Sequence, residues 1–147
     1  LADCERMVGY APDDRKRFHR WFLNRTRMNA GHLPAALDEA AGLLAGSPPE
    51  VPYPEFLFQA GTCAMLADRF RATAAAVGAP AVAGELDRAE GLAVRFLERA
   101  KTSAGPAEWA KTLPGVLVDP TFLELRRRDD FRARVAGQTT PGPGGGQ

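Results

Sequence analysis

Few residues in this chain are suited to chemistry. There are two histidines, two cysteines and two serines in 147 residues. His19, His32, Cys4 and Cys63 lack the close, regular spacing that gathers ligands around zinc, so no metal site is expected. Ser47 and Ser103 lie near the ends of helical stretches, where capping and turn roles prevail over nucleophilic ones. Neither stands in a GxSxG elbow. The adjacent acids Asp13/Asp14, Asp38/Glu39 and Asp129/Asp130 fall at helix starts, where they complement the helix dipole. A catalytic carboxylate pair is not expected there. The chain contains no glycine-rich phosphate loop, no HRD and no DFG. No catalytic residue and no cofactor is therefore expected, and the chain reads as a non-enzyme.

Two basic stretches remain. Arg15, Lys16, Arg17, Arg20, Arg25 and Arg27 alternate with Phe18, Trp21 and Phe22. A second run, DPTFLELRRRDDFRARV, carries Arg126, Arg127, Arg128, Arg132 and Arg134 between Asp119 and Val135. Exposed aromatics beside cations would suit single-stranded nucleic acid, so the 15–27 helix and the 126–134 arginines form an alternative, nucleic-acid-binding reading. The other reading is an amphipathic helix with solvated charges and a buried aromatic stripe. The net charge of +1 favours the second.

The elements that must position these residues are helices. Alanine, leucine, arginine and glutamate dominate, and these favour helix; alternating β-branched stretches are missing. The pattern predicts an all-α fold. A helix opens near Asp13 as N-cap and runs to about Ala30, with Phe18, Trp21, Phe22 and Met28 on one stripe and Gly31 as its stop. Pro34 starts a second helix, with Leu37, Ala40, Ala41 and Leu44 inward and Gly46 at its end. SPPEVPYP is a stiff connection. A long third helix, Pro54 to Val77, carries Phe56, Ala60, Cys63, Ala67 and Phe70 at three- and four-residue intervals. A fourth, Glu85 to Thr102, turns Leu86, Ala89, Ala93, Phe96, Leu97 and Ala100 inward. Gly61 and Ala64 are expected to face Ala89 and Ala93 across a close helix contact. Short helices are expected at 106–112, 120–127 and 129–136. Phe122, Leu125, Phe131 and Val135 would seal the end of the core while the arginines face water.

The length fits one domain over residues 1–136, followed by a disordered Gly/Pro-rich tail at 137–147. Two distant cysteines make no disulfide framework and lean towards a reducing, cytoplasmic setting. The apolar run Ala72–Gly84 is too short to span a bilayer. A chain that begins with Leu1 is expected to be part of a longer protein.

The paired helices resemble tetratricopeptide repeats, or TPR units. In NAGHLPAALDEAAGLLAGSP, Gly31 is followed five residues later by Ala36, and Pro48 closes the unit seventeen residues after the glycine. FLFQAGTCAMLA with LDRAEGLAVRFLERAKTSAG is similar to a second unit, with Gly61 at the close-approach position and Ala93, Leu97 and Ala100 on the second helix. Asn24 or Arg25 stands where the first unit has a glycine. The second unit is roughly twenty residues longer than the usual period of about 34. The order of these pieces resembles the C-terminal helical-repeat region of planctomycete-type bacterial serine/threonine protein kinases, over about residues 15–136. The resemblance implies a right-handed α-solenoid fragment with short C-terminal capping helices. It implies a scaffold for a protein or peptide ligand, attached to a kinase or another signalling protein. It also implies groove positions: Arg25 and Asn29 from the first unit, Phe58, Thr62 and Met65 from the second. Phe58 is notable because it lies off the inward stripe of its own helix.

Overall fold

A computed structural model describes residues 1–3, 5–6 and 13–138, with Asp13 and Asp14 described in the backbone only. Cys4 and the 139–147 part of the tail lie outside these residues. The described residues hold no strand. Residues 2–3 and 5–6 are helical, and the helices with fully described bounds are, in order, α1 Asp13–Asn29, α2 Leu33–Gly46, α3 Tyr53–Val77, α4 Ala83–Ala104 and α5 Pro106–Val118. Single helical turns follow at Pro120–Phe122, Glu124–Arg127 and Phe131–Val135. Asp13 is itself helical, not the N-cap expected ahead of the helix.

Local sequence explains the boundaries. Gly31 stands at φ +85°, where a side chain would strain the backbone. Its N–H donates to the Met28 carbonyl while the His32 N–H reaches Arg27, the paired closure of a Schellman motif. α2 then starts with proline in its first turn. The proline-rich connection is pinned to α4. Ser103 donates to the Val51 carbonyl at 2.6 Å, and Arg99 donates to the Ser47 carbonyl at 2.7 Å. Val51 is buried beneath it. Gly78 and Gly105, both at positive φ, end α3 and α4.

α3 and α4 form the central hairpin and share the most extensive contact in the molecule. They run antiparallel. Phe56, at the start of α3, packs on Phe96 far along α4, whereas Arg71 near the end of α3 meets Glu90 early in α4. The α3 stripe Phe56, Ala60, Cys63, Ala67 and Phe70 is buried as expected, together with Ala89, Ala93, Phe96, Leu97 and Ala100 of α4. α2 lies against α1, α3 and α4. One continuous core runs from Trp21 to Val135.

Four expectations are corrected. First, Phe18 and Phe22 are 50% and 47% exposed, and only Trp21, Leu23, Asn24 and Met28 of α1 are buried. α1 leans on α2 and touches α3 only lightly, which leaves Phe18 and Phe22 at the edge of the contact. Second, a Cβ on Gly61 would meet no atom within 4 Å. The glycine faces outward rather than into the α3–α4 contact. Third, α5 continues to Val118, through Pro114. Trp109 and Val116, seven residues apart on one face, are both buried by this continuation. Fourth, the 120–127 helix is two separate turns, and the C-terminal arginines do not simply face water. Arg128 pairs with Asp87, Glu90 and Asp130, and Arg126 donates to the Leu117 carbonyl.

The C-terminal seal itself stands as expected. Phe122, Leu125, Phe131 and Val135 are all buried. Asp119 accepts from the Thr121 N–H at 2.8 Å and Asp130 from the Phe131 N–H at 2.9 Å, so each carboxylate caps its turn. Trp109 of α5 donates to the Val135 carbonyl at 3.3 Å.

Candidate functional site

Residues 58, 62 and 65 fall at i, i+4 and i+7 of α3, a spacing that puts them on one helical face. That face looks away from the α3–α4 contact. α1 flanks it on one side and α5 with the Asp119–Phe122 turn on the other. The result is an open groove of about 600 Å³. Its floor is Pro54, Leu57, Phe58, Gly61, Thr62 and Met65; Arg25 contributes from α1. The far wall is Thr112, Gly115, Val116, Asp119, Thr121 and Phe122. Gly61 and Gly115 both line it, and a Cβ on either would enter open space. Their missing side chains deepen the groove.

Arg25 is the cation of this site. Its guanidinium lies 5.3 Å from the centre of the Phe58 ring, and Nη2 donates to Met65 Sδ at 3.6 Å. A ring face attracts a cation through its quadrupole, so Phe58 and Met65 hold the guanidinium in place. Phe58 in turn packs against Trp21 at 6.2 Å and Phe22 at 5.9 Å, centre to centre. Phe18 lies on Phe22 at 4.8 Å. Phe18, Trp21, Phe22, Pro54, Glu55 and Phe58 enclose a smaller apolar recess of about 200 Å³. It shares Pro54 and Phe58 with the main groove, so the two form one surface.

Four of the five residues carried over from the repeat resemblance, Arg25, Phe58, Thr62 and Met65, line this groove. Asn29 does not; it is exposed at the end of α1. Thr62 is only 2% exposed and its hydroxyl donates to the Phe58 carbonyl, so it offers a ligand little more than its methyl group. Sequence reasoning missed the far wall entirely. It assigned Phe18 and Phe22 to a buried stripe in the favoured reading, although their place beside the cations of α1 had also raised the exposed alternative.

The basic residues of α1 are mostly spent within the fold. Arg17 meets Glu55 at 3.1 Å, Arg20 meets Glu39 at 2.7 Å, and Arg27 meets Glu39 at 3.7 Å and Glu5 at 3.5 Å. At the C-terminus, Arg132 pairs with Asp129 and Arg134 with Glu98. The hydrogen bond from Arg128, helped by that from the Phe131 N–H, holds the Asp130 carboxyl below its usual range against the opposing effect of burial. These pairings leave little free charge for phosphates.

Among the described residues no three of His, Cys, Asp or Glu gather as metal ligands. Burial pushes the Cys63 thiol up to about 12, which suppresses the reactive thiolate. Asn24 and Gln59, on α1 and α3, are fully buried, and their amides meet no partner among the described residues. No helix of the described residues is long and apolar enough to cross a membrane. Comparison with protein-family models, curated proteins and solved structures finds no match to this chain.

Proposed function

We propose that this chain is a non-catalytic, TPR-like scaffold that binds a segment of another protein in the groove over α3. The observation that carries the reading is the groove itself: about 600 Å³ of open, largely apolar space, continuous with the exposed rings of Phe18 and Phe22. Contiguous exposed apolar surface rimmed by polar groups marks interaction sites. Two consecutive helix pairs, α1/α2 and α3/α4, with further short elements closing the array, support a repeat-like arrangement. A polar-faced terminal cap is what such arrays require. The scaffold is proposed to be the accessory C-terminal region of a serine/threonine protein kinase or another signalling protein. A coding sequence upstream of Leu1 without a signalling domain would overturn that part.

Groove binding is tested with peptides selected by display against the full chain. Amide shifts on titration should cluster on Arg25, Phe58, Met65 and Thr112. Phe58→Ala should reduce affinity at least about tenfold while the far-ultraviolet spectrum is retained. A footprint elsewhere, or undiminished affinity in Phe58→Ala, would overturn the reading. Affinity should also depend only moderately on salt. The nucleic-acid alternative requires a steep salt dependence and loss of binding on joint replacement of Arg17, Arg20 and Arg27 by Ala.

A further inference from the structure

Arg17, Arg20 and Arg27 of α1 each meet a carboxylate. Arg25 is different. It is partly buried at the lip of the groove, and no described carboxylate pairs with it. Its contacts are the Phe58 ring and the Met65 thioether, which orient the guanidinium without neutralising it. A planar guanidinium so held keeps most of its five N–H donors for an acceptor, and its fork matches a carboxylate.

The rest of the surface narrows the ligand further. The recess beside Arg25 is bounded by Phe18, Trp21, Phe22 and Phe58, with only Glu55 as a polar group, and Glu55 is already bonded by Arg17. It suits an aromatic or branched aliphatic side chain. The far wall carries Asp119, whose Oδ1 is committed to the Thr121 N–H but whose negative charge remains. A run of acids across the groove would be repelled there. From this charge pattern we infer that the groove selects an apolar peptide segment bearing a single acidic side chain, its carboxylate on Arg25 and a neighbouring large apolar residue in the Phe18/Phe22 recess. The inference rests on the groove reading above and specifies the ligand class for it.

Four acetylated and amidated peptides test it, each a short Leu/Phe segment with one variable position. That position holds Glu, Gln or Lys, and the fourth peptide has three Glu in succession. Fluorescence anisotropy against the full chain should rank the single-Glu peptide at least about tenfold tighter than the Gln form, the size of a lost charge-assisted bond. The Lys and triple-Glu forms should be weaker than the single-Glu form. Added salt should narrow the Glu-over-Gln gap, since the site is partly exposed. Arg25→Gln should abolish that gap, and Arg25→Glu should invert the preference to Lys. Because preference is a ratio, partial misfolding of a variant does not produce inversion. If the Glu and Gln peptides bind alike and both lose affinity in Phe58→Ala, the groove stands and the single-acid ligand is overturned. If none of the four, nor any peptide from a random display library, is displaced by blocking the groove, the groove reading fails and this inference with it.

Discussion

Replacing Phe131 by Ala tests whether the C-terminal segment is part of the folding unit. Phe131 is 1% exposed and belongs to the same core as Phe96 and Trp109. Its turn packs on α4. Removing a buried ring without room to collapse costs about 3–5 kcal/mol. A chain of this length has a total stability of roughly 7–20 kcal/mol. The loss is therefore a large fraction of the whole if the segment folds with the rest. In a thermal melt followed by circular dichroism this corresponds to a fall of roughly 6–20 °C. Urea unfolding of the variant should stay a single transition with an unchanged slope. A midpoint within about 2 °C of the parent would refute the reasoning. So would a separate early transition, which would mean that the 119–136 segment is an appendage held apart from the helical core.

Arg128→Ala removes the partner of Asp87, Glu90 and Asp130 and should cost less than the ring, about 1.5–3 kcal/mol, measured by the same urea titration. The lowered Asp130 carboxyl contributes stability above the unfolded aspartate value of about 3.9 and loses it as pH falls through the lower folded value; the parent should weaken below about pH 4, and Arg128→Ala should show a smaller decline there. Ala93, fully buried between α3 and α4, should tolerate Leu poorly, with a loss of about 1–3 kcal/mol seen as a lower melting midpoint. Cys63, in a Cys4→Ser background, should resist alkylation at pH 8 until urea unfolds the chain, because burial keeps its thiol protonated; rapid labelling of the native form would contradict that.

The helices were legible because their buried stripes are periodic. α2, α3 and α4 each carry a run at three- and four-residue spacing, and the structure buries those runs. The sealing residues Phe122, Leu125, Phe131 and Val135 were legible for the same reason. What sequence could not convey was the identity of the opposing surface. Phe18 and Phe22 have the spacing of core residues, but their faces stay about half exposed. Gly61 has the chemistry of a close-approach residue, yet a face of α3 open to the groove makes equal use of a missing side chain. The charges of Arg126–Arg134 looked solvated because their acids, Asp87, Glu90 and Glu98, come from α4, some forty residues earlier. The helix expected at 106–112 instead runs on through Pro114, and the burial of Val116, one turn beyond Thr112, rewards that continuation.

α3 divides the work of the molecule by face. Its inward stripe, Phe56 through Phe70, meets α4 and carries the main packing. Its outward positions, Phe58, Gly61, Thr62 and Met65, line the groove and are not needed for that contact. Substitutions on the two faces should therefore separate stability from binding. Phe58 is the position where the separation is least complete, since its ring also packs on Trp21 and Phe22. Met65 is cleaner: it makes no ring contact, is partly exposed at the edge of the core, and its thioether accepts from Arg25. Loosening α1 would disturb the groove more than loosening α2, because α1 supplies Arg25 and three rings of the aromatic recess yet touches α3 only lightly. The ligand surface thus sits partly on a helix that meets α3 only lightly. A bound segment spanning Arg25 and the far wall would bridge α1 to α5, and binding should stabilise α1 and α5 more than α2.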